Sequence, residues 1–215
     1  MENNEFELLE EQITQPEEPE KEVTEKEEGD LRTGILTTLH DVVFVLAGML
    51  LVLLLLFRVV IVSGPSMNAT LIDGDYILLL GNVFYKNPQQ GDIIVASKDS
   101  FKNGEPIIKR IIATEGQQVD IDFVAGIVYV DGVALDEPYT LTPTNRDEGV
   151  SFPLTVEEGC VFVMGDNRNM SKDGRSPEIG LIDRREILGK AIFLMFPGTE
   201  GGRYKPKFDR IGAIS

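Results

Sequence analysis

Apolar positions along this chain fall into two regimes. From Val42 to Phe57 they run unbroken, VVFVLAGMLLVLLLLF; Arg58 interrupts the run and Val59-Val60-Ile61-Val62 resumes it. A helix over residues 42–62 would be about 31 Å long at ~1.5 Å per residue, the thickness of a bilayer core. Arg58, four residues from the end of that run, can then extend its guanidinium to the interface. After Val62 the pattern changes to short β-rich runs at Asp75–Leu80, Asp92–Ser97, Pro106–Thr114, Gln118–Asp122, Ile127–Val130, Cys160–Met164 and Ile187–Met195. Turn signals such as Gly74-Asp75, Asn87-Pro88, Gly91-Asp92 and Asp131-Gly132 separate them, and no long amphipathic helix intervenes. Residues 133–158 are polar, carry Pro138, Pro143 and Pro153, and read as an excursion from the main sheet. The expected architecture is therefore all-β: an antiparallel β-domain over 63–215, preceded by one transmembrane helix over 33–62 with its core at 42–62.

Charge refines this picture. The chain of 215 residues has a net charge of -16, and residues 1–32 alone hold thirteen acids against Lys21, Lys26 and Arg32. That segment has few apolar residues and no periodicity, which predicts a disordered acidic tail. Nucleic acid is excluded as a partner, since phosphate backbones are bound through Lys and Arg. A cleaved leader fits poorly because some forty acidic-rich residues precede the apolar run, where an n-region would be basic. The run is expected to be a retained anchor in a lipid bilayer. Basic residues on its two sides, Lys26 and Arg32 against Arg58, barely bias its orientation.

Histidine and cysteine restrict the chemistry. His40 is the single histidine and precedes the apolar run, so a bilayer would separate it from any serine in the β-domain. That excludes a Ser–His–Asp triad and a Cys–His pair. Cys160 is the single cysteine, so no intrachain disulfide and no His/Cys zinc site can form. A hydrolase built on this domain would take Lys, Asp or Glu as its base. Lys109 stands out in Pro-Ile-Ile-Lys-Arg-Ile-Ile-Ala, where alternation puts it on one strand face with Ile107 and Ile111. A lysine desolvated there loses part of its affinity for a proton, although an exposed strand lysine is the simpler reading of the local pattern.

Motifs decide between these readings. Val62-Ser63-Gly64-Pro65-Ser66-Met67, followed by Thr70-Leu71 and Gly74-Asp75, resembles the nucleophile box of the bacterial type I signal peptidases. Gly91-Asp92-Ile93-Ile94-Val95, then Ile108-Lys109-Arg110-Ile111-Ile112 with Glu115-Gly116, then Met164-Gly165-Asp166-Asn167-Arg168 through Ser176, resemble three further boxes in the family's order. The resemblance implies a membrane-bound serine endopeptidase that removes signal peptides from exported preproteins and needs no cofactor or metal. Ser66 would be the nucleophile, Lys109 the general base and Ser171 the residue that hydrogen-bonds and orients the lysine. Val62, Gly64, Met67, Leu71 and Ile108 match positions in the family's substrate-binding site, the four apolar ones lining a shallow pocket for a small residue. Asp166, Arg168, Asp173 and Arg175 would be structural residues beside the site, the last two as an ion pair. The resemblance further implies a single-pass protein of the cell membrane with its catalytic domain on the outer face. Departures are Asn169-Met170 before Ser171, Ala69 where the family often has Pro, and Gly64 where some members carry a serine that helps hold the oxyanion. Two other readings compete: a self-cleaving repressor-type Ser–Lys protease, disfavoured by the anchor, and a membrane-tethered β-domain that only binds.

Overall fold

A computed structural model describes residues 20–199 and 206–214. One helix, α1 (Glu20–Leu56), precedes twelve strands: β1 (Phe57–Ile61), β2 (Tyr76–Gly81), β3 (Ile93–Ala96), β4 (Ile107–Thr114), β5 (Gln118–Asp122), β6 (Ile127–Val130), β7 (Val133–Ala134), β8 (Leu154–Thr155), β9 (Cys160–Met164), β10 (Ile182–Asp183), β11 (Ile187–Phe196) and β12 (Gly212–Ala213). The antiparallel β-architecture agrees with the sequence pattern, and all seven strands read from it are present within a residue or so of their expected ends.

Both boundaries of the N-terminal region differ from expectation. Of the acidic tail 1–32, residues 1–19 lie outside the described residues, while from Glu20 onward the chain is helical. Glu and Lys are good helix formers, and adding residues to a helix already nucleated in the apolar run needs no second nucleus. At the other end the helix stops at Leu56. Residues 57–61, expected within the anchor, instead form β1, paired antiparallel to β2 from Phe57↔Leu80 to Ile61↔Tyr76. Arg58 is thus a strand residue. The β-rich run Phe-Arg-Val-Val-Ile has a partner in β2, and apolar character alone does not separate a helix end from a buried strand. Thr33–Leu56, 24 residues, remains long and apolar enough to cross a membrane. The chain divides into two compact units at Leu51/Val52; the described residues of the first are helical, and the second holds all twelve strands.

In the β-domain the large sheet runs β1-β2-β11-β3-β4-β9-β10, with β12 also on β11, and a smaller sheet runs β7-β6-β5-β8. Alternation along β3 splits the interior. Ile93 and Val95 join Val62, Met67, Leu71, Ile77 and Leu79 in one core, while Ile94 and Ala96 join Phe101, Ile111, Val161 and Val163 in a second. A third core, built on Ile112, Val119, Val128 and Phe162, lies where β4 and β9 meet the small sheet. The bulge on β4 between Ile111 and Ala113 carries the strand from the second core to the third. The excursion 133–158 supplies β7 and β8 and so completes the small sheet.

On the side of β1-β2-β11 away from the first core, Val59 and Ile61 (each 55% exposed) lie beside Tyr76 and Phe196 (58%), with Phe193 following along β11. Tyr76 and Phe196 meet edge to face at 6.4 Å. This is a contiguous exposed apolar face, not a scatter of single residues.

Candidate active site

Residues 62–75 form a closed loop between β1 and β2. Val62 N–H donates to Asp75 O (2.8 Å) and Gly74 N–H to Val62 O (2.9 Å), which fixes its neck. Gly64 takes φ +86°, a region unfavourable for other residues, and its N–H donates to Asp73 Oδ1 at 2.8 Å. Met67 and Leu71, each 1% exposed, peg the loop into the first core. Ser66 is therefore presented on a loop held at its neck and by two apolar side chains. Its carbonyl accepts from Asn167 N–H at 3.0 Å, and Asn167 Nδ2 donates to Pro65 O at 3.0 Å, so the 164–176 segment grips the loop from a second side.

Lys109 arrives on β4 opposite Ile94, on the face that also carries Ile107 and Ile111. Its Nζ lies 3.0 Å from Ser66 Oγ and 3.0 Å from the carbonyl oxygen of Ile108. The residue is 5% exposed. Burial pushes its ammonium down from 10.5 to about 8, against the opposing pull of Asp173, Asp166 and Glu148; Lys102 adds a small push downward. A neutral amine has two N–H groups and one lone pair. With one N–H given to Ile108 O, the lone pair can face the Ser66 hydroxyl.

Ser171 is fully buried, but its Oγ has no hydrogen-bond partner among the described residues. The expected Ser171–Lys109 bond is thus not formed in this structure: Lys109 Nζ is engaged by Ser66 and Ile108 instead. Ser171 does pack against Gly165, where a Cβ would overlap its hydroxyl and come 2.5 Å from Ser66 O. Only glycine allows the two serine-bearing segments to approach this closely.

Three buried ion pairs stand behind the site. Arg110 donates to both carboxylate oxygens of Asp166 at 2.9 Å, and Asp166 also accepts from Thr70 Oγ1 in the nucleophile loop. Arg175 Nε and Nη2 each donate to Asp173 at 2.8 Å, and Asp173 Oδ2 takes Gly165 N–H at 3.0 Å. Arg168 reaches Glu137 at 2.8 and 2.5 Å. Tyr139 lies under the Arg110 guanidinium at 4.0 Å. Arg110, Glu137, Tyr139 and Glu148 escaped the sequence reading. A charged pair, Lys109-Arg110, inside an apolar strand was the one local signal for Arg110.

A cleft of about 700 Å³ opens on the dyad. Val62, Gly64, Met67 and Ile108 line it as expected, joined by Val95 and Phe101; Leu71 does not line it and is a core peg. Gly64 N–H is committed to Asp73, whereas the Ser66 N–H makes no hydrogen bond among the described residues. Among those residues no cluster of three or more His, Cys, Asp or Glu could hold a metal. The arrangement offers a hydroxyl nucleophile, an adjacent base that can be neutral near pH 8, and an unengaged N–H at the nucleophile.

Comparison with known proteins gives the family of the chain. The model of the signal peptidase family, peptidase S26, matches residues 35–196. Signal peptidase I of Bacillus licheniformis is 31% identical over 186 residues, 83% of this chain and 97% of that one. The probable signal peptidase I-1 of Synechocystis sp. is 35% identical over 174 residues, 76% of this chain and 85% of its own. A solved signal peptidase I from Enterococcus faecalis is 32% identical and covers 49% of this chain and 97% of that chain, with a TM-score of 0.40. With the family model spanning most of the chain and a relative above 30% identity along nearly its whole length, the chain belongs to the signal peptidase family, peptidase S26, and is a serine peptidase.

Proposed function

We propose that this peptidase removes signal peptides from exported preproteins with a Ser66–Lys109 dyad, while α1 holds it in the cell membrane with the β-domain on the outer face. The observation that carries the dyad is the 3.0 Å approach of Lys109 Nζ to Ser66 Oγ, with the lysine buried and lowered to about 8. Neutral Lys109 takes the Ser66 proton as Oγ attacks the scissile carbonyl carbon. The resulting oxyanion is met by the Ser66 N–H. The C–N bond breaks as Lys109 returns the proton to the leaving amine, leaving an ester on Ser66. Water attacks that ester, passes a proton to Lys109, and the proton returns to Ser66 Oγ as the acid departs. Ser171 is assigned the remaining amine N–H: its buried, unpaired hydroxyl is an acceptor costly to leave unmet. Asp166, Arg168, Asp173 and Arg175 act through the loops they hold.

Membrane placement is supported by the apolar stretch Thr33–Leu56 and by the exposed face built on Val59, Ile61, Tyr76, Phe193 and Phe196. Such a face suits the boundary between headgroups and acyl chains. Confinement to one surface raises the effective concentration of enzyme and membrane-bound preprotein for each other. The test is cleavage of a preprotein by the purified full chain. Ser66→Ala and Lys109→Ala are expected to lose turnover by at least about a thousandfold with the fold kept, and turnover in either variant would refute the assignment.

A further inference from the structure

Glu148 lies in the excursion, far from Lys109 in sequence, and its environment is unusual for an acid. Residues 145–150 cross the loop that carries Ser171. Arg175 Nη1 donates to Arg146 O (2.9 Å), and Val150 N–H donates to Arg175 O (3.0 Å). Arg146 Nη1 donates to Asn169 O (3.3 Å), and Asn145 N–H donates to Asn169 Oδ1 (3.3 Å). From this strap the Glu148 side chain, 4% exposed, turns inward. Its Oε2 accepts a long bond from Asp173 N–H at 3.3 Å. Its Oε1 lies 3.3 Å from Arg146 Nε without hydrogen-bond geometry, and that arginine is itself 51% exposed.

This is poor compensation for a buried carboxylate. Its neighbour Asp173 is another carboxylate, already satisfied by Arg175 and Gly165 N–H. Burial first, and Asp173 second, hold the Glu148 carboxyl above the usual range; Asp173 N–H, Arg175 and Arg146 oppose them. A residue needed only to accept one backbone N–H could be glutamine at less cost. What glutamine would not supply is negative charge, and a short chain of contacts, Glu148 to Asp173 N–H, Asp173 to Gly165 N–H, Gly165 against Ser66 and Ser66 to Lys109 Nζ, brings that charge towards the base. Glu148 is the third anion that favours the Lys109 ammonium, beside Asp173 and Asp166, with Lys102 as the opposing cation.

We propose that Glu148 is a positioning residue for the general base: its carboxylate clamps the Ser171–Arg175 loop through Asp173 N–H and adds negative charge that stabilises the Lys109 ammonium formed when Ser66 gives up its proton. This rests on the Ser66–Lys109 reading. Burial lowers the basicity of Lys109, and the surrounding anions restore part of it.

The experiment is the pH dependence of kcat/KM for the full chain in detergent, with wild type, Glu148→Gln and Glu148→Asp on one peptide substrate. Glu148→Gln keeps size and hydrogen-bond acceptor but removes charge. It is expected to move the acid limb down by roughly 0.3–1 pH unit. Glu148→Asp keeps the charge and is expected to leave the limb much closer to wild type. A Glu148→Gln limb at the wild-type position, or an equal movement in both variants, overturns the proposal, because a merely structural clamp would not read charge. A Glu148→Gln chain that does not fold overturns it too, by making the carboxylate a requirement of the fold. Failure of the dyad reading looks different: a flat wild-type profile, or turnover in Lys109→Ala.

Discussion

Replacing Lys109 by Met should abolish cleavage and yet stabilise the protein at neutral pH, by an amount that disappears in alkali. Folding lowers the Lys109 pKa from 10.5 to about 8, chiefly by burial. Between these two values the unfolded chain holds a proton that the folded chain has released, so stability rises with pH across that window. Below about pH 8 both states are protonated, and the folded state bears the full cost of a buried ammonium. At about 1.4 kcal/mol per pKa unit, the lowering corresponds to about 3 kcal/mol. Because the side chain is 5% exposed, solvent screening removes little of this. Lys109→Met fills similar volume without charge, and loses the N–H given to Ile108 O, which costs about 1 kcal/mol at every pH. The pH-dependent part of the difference is therefore the clean signal. Other groups titrate alike in the two proteins and cancel. Urea unfolding of the full chain in micelles, followed by circular dichroism of the β-domain, should give a Met-minus-Lys difference that shrinks by about 3 kcal/mol from pH 7 to pH 10.5. A difference constant over that range would mean that Lys109 is charged in neither or both states alike, and would refute the desolvated base.

Other expectations follow from single contacts. Ser171→Ala should lower kcat by about ten- to a thousandfold, the scale of a lost orienting bond, with Ser171→Thr retaining more activity; equal wild-type-like rates in both would remove Ser171 from the site. Gly165→Ala should cost both activity and stability, because the new Cβ meets Ser171 Oγ and Ser66 O; a variant with a wild-type melting temperature and rate would contradict the close approach. Arg210 reaches Asp75 at 2.9 and 2.6 Å and Thr70 O at 3.1 Å, so the C-terminal segment holds the nucleophile loop. Arg210→Ala leaves the fully buried Asp75 carboxylate with only the Ile72 and Gly198 N–H groups and should destabilise the β-domain by about 1–3 kcal/mol in urea unfolding, and an unchanged stability would contradict this tie.

How far the sequence carried the account depends on the range of each interaction. Strands such as Gln118–Asp122 and Ile127–Val130 were legible because alternation and a following turn are local. The end of α1 was not, since Phe57–Ile61 continues the apolar run with a single break at Arg58 and becomes a strand only by pairing with residues about twenty positions later. Ser66 and Lys109 were legible through motifs; their local surroundings alone left an exposed strand lysine as the simpler reading. Leu71 looked like pocket lining because a loop leucine gives no sign of which way it packs, and the structure buries it as a peg. The partners of Arg110 and Arg168 are the least readable part. Arg110 and Asp166 are 56 residues apart, and Arg168 and Glu137 are 31 apart, so nothing near either partner announces the pair. The polar excursion hid the same way: its Glu137, Tyr139 and Glu148 acquire meaning only once the chain folds back on the 164–176 segment.

The most direct test of the central claim, that a buried lysine is the base for Ser66, is the pH profile of kcat/KM for the wild-type chain on a signal-peptide substrate. The account predicts a rise to a plateau with an apparent pKa near 8, far below the 10.5 of a free lysine. A profile flat from roughly pH 6 to 10, or an acid limb at about pH 4–5 where a carboxylate titrates, would contradict it.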